Sequence, residues 1–157
     1  MWQCLLYVLR TKLWWRRHPP PSPRRANAQI VGEWGEAAAL KFLRANGWQI
    51  LGQRLRPNRR DELDIVALRG KILAFIEVKT RASNRFARPA SAVNRAKRQA
   101  LNRAARAFLR RTRHPGYIYR FDIIEVIGSP PSPHPQINHL ENAFPFDRRL
   151  KIVELEQ

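Results

Sequence analysis

Only one cysteine, Cys4, occurs in the 157 residues, which excludes an internal disulfide and any zinc site built from several cysteines. The four histidines, His18, His114, His134 and His139, show none of the spacings at which metal-binding histidines recur, so zinc is not expected. The missing disulfides fit a reducing compartment, and a cytoplasmic location is expected. No stretch approaches the roughly 20 apolar residues of a membrane span. Acidic residues are scarce too. Twelve Asp and Glu face thirty Lys and Arg, a formal charge of +18, and such an excess repels itself unless a polyanion or an anionic surface neutralises it. The expected partner is nucleic acid, with no small-molecule cofactor. In a chain so poor in acids, the positions they occupy carry information.

The apolar fraction of 44% suffices for one core, and the length suits one domain with an extra segment or two. Met1 to Arg17 (MWQCLLYVLRTKLWWRR) puts Trp2, Leu5, Leu6, Leu9 and Leu13 on one helical face, with Arg10, Lys12, Arg16 and Arg17 nearby. It lacks a basic region ahead of its apolar run and a small-residue cleavage site behind it, so it is not read as a signal peptide. An interfacial helix that contacts a membrane, a docking helix, and residues added by an upstream start codon all remain open for it. His18 to Arg25 (HPPPSPRR) reads as a proline-rich linker that cannot continue a helix.

Beyond the linker, Val31, Trp34, Ala38 and Phe42 recur at helical spacing, predicting a helix over Ile30 to Asn46 that Gly47 closes. Trp48 to Arg56 reads as a strand. Leu63 to Leu68 and Ile72 to Thr80 read as two more, joined by a tight hairpin across Arg69-Gly70-Lys71. A second helix, with Ser91 as its N-cap, carries the stripe Val93, Ala96, Ala100, Leu101, Ala104, Ala105 and Phe108, and arginines cover much of its other surface. Its pattern fails by His114-Pro115-Gly116. Tyr117 to Ile127 is a fourth strand, Gly128 to Pro135 a loop, and Ile137 to Phe144 a short edge element. The order α-β-β-β-α-β implies the α/β class, a mixed sheet flanked by helices. The chain is expected to divide into an N-terminal segment and linker over residues 1–25, one domain over 26–147 and a tail over 148–157.

Three residues on the hairpin carry readable chemistry. Glu77 and Lys79 alternate onto one face of their strand. If Arg69 faces Ile72 across the turn, Asp64 falls opposite Glu77 and Val66 opposite Phe75; a one-residue slip would separate the two acids. Facing carboxylates destabilise a sheet unless a cation lies between them. Mg²⁺, with Mn²⁺ as a replacement, takes such oxygen ligands, and an ammonium on the same face suits an attacking water or a phosphate oxygen. The same spacing also fits a plain surface ion pair between Glu77 and Lys79 beside a solvated Asp64.

The segments GEWGEAAALKFLRANGWQIL, ELDIVA, FIEVKTR, RFDIIEV and INHLENAF occur in the order seen in the YraN-like family, which this chain resembles from Val31 to Phe144. That family consists of small bacterial proteins similar to archaeal Holliday junction resolvases. The resemblance implies a restriction-endonuclease-like core with a PD-(D/E)xK type site. Carried over by residue, Asp64 matches the catalytic Asp, Glu77 the acid and Lys79 the lysine of ExK, and Glu36 the acid of the first-helix GxxGE pattern. Asp64, Glu77 and Glu36 are the implied metal ligands. The family usually has Gly before the Glu of its G-E-I/L-D motif, whereas Asp61 precedes Glu62 here, a third acid expected to bear on loop geometry or metal affinity. Glu62 is read as a solvated strand-end charge rather than a further ligand, Asp122 as half of a structural salt bridge, and His139 as a packing or hydrogen-bonding residue.

The reading that follows is a metal-dependent DNA endonuclease hydrolysing phosphodiesters. A branched DNA substrate and a homodimer are implied by resemblance alone. Arg81, Lys97 and Arg98 are candidate nucleic-acid-binding residues. The alternative is a basic nucleic-acid-binding protein whose nuclease-like fold is idle.

Overall fold

The computed structural model describes residues 23–83, 93–112 and 116–146. The amphipathic segment Met1 to Arg17, most of the proline-rich linker, the expected Ser91 cap, His114 and the tail over 148–157 lie outside the described residues. The chain divides into two compact units, Met1–Ile30 and Val31–Gln157. Among the described residues no helix is long and apolar enough to cross a membrane.

Helix α1 spans Pro23–Ala45 and α2 Arg95–Thr112; the strands are β1 Gln49–Leu55, β2 Leu63–Arg69, β3 Ile72–Arg81, β4 Ile118–Ile127 and β5 Gln136–Phe144. The order is thus α-β-β-β-α-β-β, the mixed α/β arrangement expected from the sequence with one more full strand. Two helix starts differ from the sequence reading. Helix α1 begins at Pro23 rather than Ile30, because proline blocks a helix interior but suits the first turn, where no carbonyl awaits its missing N–H. Helix α2 is capped by Asn94, whose Oδ1 accepts a 2.9 Å hydrogen bond from the Lys97 amide. Val93 therefore precedes the helix, although it is still buried in the core. The end of α1 follows its glycine. Gly47 takes φ +76°, its N–H donates to Arg44 O, and the Trp48 N–H reaches back to Leu43 O.

The sheet runs β1-β2-β3-β4-β5, antiparallel at every junction except β3–β4, which is parallel. A parallel neighbour needs a crossover, and the segment holding α2 supplies it. Alternation along the central strands produces two cores. Val66, Leu73, Phe75, Phe121 and Ile123 pack with Leu101, Ala104, Ala105 and Phe108 of α2. Ile65, Ala67, Ala74, Ile76, Ile124 and Val126 pack with Ala39, Leu40 and Leu43 of α1. The sheet is therefore sandwiched, with a different helix against each face.

The edge strand β5 is tied down by a buried acid. The β4–β5 register shifts between Phe121 and Ile123. At that break Asp122, which is fully buried, receives the Asn142 N–H at 2.9 Å, Arg120 Nη2 at 3.1 Å and His139 Nε2 at 2.8 Å. Asp122 is thus the structural salt-bridge residue expected, and His139 packs edge-on to Phe42 and Trp48 while it hydrogen-bonds Asp122. Replacing Asp122 with Ala would take the shared acceptor from the Asn142 amide, the His139 ring and Arg120, which would keep only Glu141. The expected loss is about 3–5 kcal/mol, read as a lower midpoint in urea unfolding at neutral pH.

Candidate active site

The hairpin register decides which side chains meet. Arg69 pairs with Ile72, Val66 with Phe75 and Ile65 with Ile76, as the turn geometry predicts. One residue further on, the backbone ladder gives way to a side chain: Asp64 Oδ2 accepts the Val78 N–H at 2.9 Å. Asp64 therefore sits beside Glu77 at the open end of the hairpin. Glu77, Lys79 and Arg81 alternate along β3 on the face that Phe75 turns toward α2.

Glu77 is 2% exposed, a burial that a lone carboxylate does not tolerate. Two ammonium groups offset it. Lys79 Nζ donates to Oε1 at 2.7 Å, and Lys97 Nζ lies 3.0 Å from Oε2. The second contact is Coulombic only, since Oε2 accepts no hydrogen bond among the described residues. Arg81 turns to the buried Glu125 on β4, with Nη2 3.7 Å from Oε1. The Arg98 guanidinium donates to Val93 O at 2.9 Å and lies over the Phe144 ring, holding the start of α2 to the core.

Glu36 lies on the other helix and stays at the margin of the site. Helix α1 lies so close to β3 at Gly35 that a Cβ there would collide with Thr80 Oγ1. The next residue, Glu36, bonds Arg54 Nε at 2.7 Å, and Arg54 takes a positive φ of 46°. Its charge is nevertheless felt at Asp64. The structure thus brings Asp64, Glu77, Lys79 and Lys97 together, with Glu36 at the margin and engaged elsewhere.

The loop ahead of β2 accounts for the acid at 61. Asp61 is buried and turns away from Asp64 into a two-pronged bond from Arg103 of α2, with Nη2–Oδ1 at 2.8 Å and Nε–Oδ2 at 3.1 Å. Asn58 adds a third donor at 3.2 Å and accepts the Arg60 and Asp61 amides. Arg103 holds the Asp61 carboxyl below its ordinary range. Glu62 pairs with the exposed Arg56 at 2.7 Å, the solvated strand-end charge expected of it.

Sequence reasoning gave Lys97 to a DNA backbone and did not place it beside Glu77. A signal was present. The first turn of α2 carries no acid but holds Arg95, Lys97 and Arg98, although the helix dipole disfavours cations at that end. The pairing of Arg54 with Glu36 was missed for a different reason: it depends on a β1 backbone irregular enough to shift register between Ile50 and Gly52.

Two hard oxygen donors at the end of a sheet suit a Mg²⁺ ion that keeps waters or phosphate oxygens as its other ligands. The buried Oε2 of Glu77, lacking a hydrogen bond, is an oxygen such an ion would satisfy. Among the described residues no group of three or more His, Cys, Asp or Glu is placed to hold a metal ion.

Burial first, and then the charge of Glu77, push the Asp64 carboxyl up to about 6 from an ordinary 3.8; the Val78 amide and Lys97 pull in the other direction. Unfolding releases Asp64 to ionise at its ordinary value, so its cost to stability is absent at low pH and grows as pH rises through the interval from 3.8 to about 6. Asp64→Asn, which keeps an acceptor for Val78, is expected to stabilise the metal-free protein by about 2–3 kcal/mol near pH 8. That gain should vanish near pH ~4; urea unfolding at the two pH values checks it.

The family model described as "Uncharacterised protein family UPF0102" matches residues 35–126, a span that holds Glu36, Asp64, Glu77, Lys79 and Lys97. Among similar proteins, the UPF0102 protein of Caldicellulosiruptor saccharolyticus is 36% identical over 75% of this chain and 99% of its own length. That of Symbiobacterium thermophilum is 42% identical over 64% of this chain and 84% of its own, and that of Alkaliphilus metalliredigens 37% identical over 74% and 99%. This chain belongs to the UPF0102 family, the YraN family.

Proposed function

We propose that the protein is a Mg²⁺-dependent DNA endonuclease that hydrolyses the phosphodiester backbone. One observation carries the reading: two carboxylates, Asp64 and Glu77, are held together at the end of a buried hairpin beside a lysine on the same strand face. Such a pair costs stability, and a structural role gives no reason to keep it. A role that places a divalent cation against phosphate does.

Asp64 and Glu77 would hold the ion, with Glu36 joining them if Arg54 releases it. When bound, the ion supplies Lewis-acid stabilisation of the charge that builds on the phosphoryl oxygens. Lys79 hydrogen-bonds the attacking water or a phosphate oxygen and holds it in line with the leaving oxygen. As the water oxygen bonds phosphorus, the P–O3′ bond breaks and a proton passes to the departing oxygen, leaving a 5′-phosphate and a 3′-hydroxyl. The basic surface of α2, with Arg110 and Arg111 in its last turn, suits the flanking phosphates. A cytoplasmic location, expected from the missing disulfides, belongs to the same proposal. A branched substrate cut by a symmetric pair of subunits is the finer form of the proposal and rests on the likeness to junction resolvases.

A second reading has an observation in its favour. Lys79 and Lys97 together already neutralise Glu77, as they would in a basic binding module with an idle site. Cleavage decides between the two. Purified protein given branched, duplex and single-stranded DNA with Mg²⁺ or Mn²⁺ is expected to cut at least one of them, and Asp64→Asn and Glu77→Gln should each lower the rate by at least about 100-fold. Activity that survives in both variants would sink the nuclease reading.

A further inference from the structure

Lys97 lies where the acidic pair needs a cation. Its ammonium is 3.0 Å from Glu77 Oε2, and its charge also acts on Asp64. Lys79 differs from it in both respects. It makes a 2.7 Å hydrogen bond to the other oxygen, Oε1, and it belongs to the same strand as Glu77. Lys97 comes from a separate element, at the first turn of α2, where its charge adds to those of Arg95 and Arg98 at the positive pole of the helix. The Asn94 cap fixes its backbone, and its side chain is about one-third exposed, so solvent reaches the ammonium. The contact it would give up is the longer of the two, 3.0 Å against 2.7 Å, and Oε2 accepts no aligned hydrogen bond in it.

We propose that Lys97 is an internal stand-in for the divalent ion: it neutralises the acidic pair in the metal-free protein, and once displaced by the ion it transfers to a DNA phosphate. The inference rests on the metal-site reading above, although it requires no cleavage. Two carboxylates cannot hold the ammonium and the divalent ion in the same place, so the two cations compete. The displaced ammonium then becomes a phosphate ligand beside the site, and by linkage divalent ion and DNA strengthen one another's binding. Metal occupancy would thereby be coupled to substrate without any rearrangement of the fold.

The test uses the full-length protein with Mn²⁺ alone, its affinity measured by calorimetry, and then with labelled duplex and branched DNA in EDTA or in Ca²⁺. Lys97→Met is expected to bind Mn²⁺ about tenfold more tightly than wild type, because its competitor is gone, and Lys97→Arg should stay near the wild-type value. Ca²⁺ should strengthen DNA binding by wild type, although screening alone would weaken it, and this gain should be several-fold smaller in Lys97→Met, where only the ion's own contact with phosphate remains. Mn²⁺ affinity that is unchanged or weakened in Lys97→Met would overturn the inference, as would a Ca²⁺ gain as large in it as in wild type. Thermal melting of each variant checks that the fold is retained. Absent cleavage with these binding shifts intact would sink the nuclease reading and leave this one standing; cleavage with no shift would do the reverse.

Discussion

Two carboxylates held near each other at the end of an apolar hairpin are the constraint around which the rest of this molecule is arranged. Asp64 and Glu77 repel, and burial denies them the water that would screen the repulsion. The hairpin imposes their proximity. With Arg69 against Ile72 and Val66 against Phe75, the apolar residues of both strands fall in their cores, where a one-residue slip would turn them out, and the acids are carried along with that register. The packing that holds β2 and β3 together therefore offsets the electrostatic cost of the site. Cations complete the compensation from two directions, Lys79 along the strand and Lys97 from α2.

The surrounding elements keep other charges out of that arrangement. Asp61 is drawn into Arg103, Asp122 into Arg120 and His139, and Glu62 into Arg56. Although acids are few, those with structural partners are held by arginine, whose planar fork suits fixed geometry, while the two at the hairpin end meet lysines, which release more readily. Asp61 shows the division well. It stands where relatives are expected to have Gly, yet it joins the loop ahead of β2 to α2 instead of entering the acidic pair.

Much of this could be read from the sequence, because its strongest signals are local. Two apolar runs on either side of Gly70 define the hairpin, and the tight turn between them sets a register that places Asp64 near Glu77 before any tertiary contact is known. The role of Asp122 was likewise legible, since an acid in an otherwise apolar strand needs a partner, and His139 was read as a packing or hydrogen-bonding residue. What the sequence concealed depends on contacts between distant elements. The approach of Lys97 to Glu77 follows from how α2 lies on the sheet, and spacing along one helix carries no information about that. The Asn94 cap was hidden by Ser91, an equally good capping residue nearby. Helix α1 was started too late because its prolines were read as breakers throughout, when one of them suits a first turn. The span of β5 was expected to within one residue, but its standing as a full strand of the sheet was not, because its residues are half polar.

The account stands on Asp64 and Glu77 forming a divalent-cation site, and a crystal soaked in Mn²⁺ tests this most directly through anomalous scattering. It predicts a peak between the two carboxylates, with oxygen ligands at about 2.1–2.2 Å and the Lys97 ammonium withdrawn from Glu77. A map with no peak there at saturating Mn²⁺, and with both lysines still seated on Glu77, would contradict it.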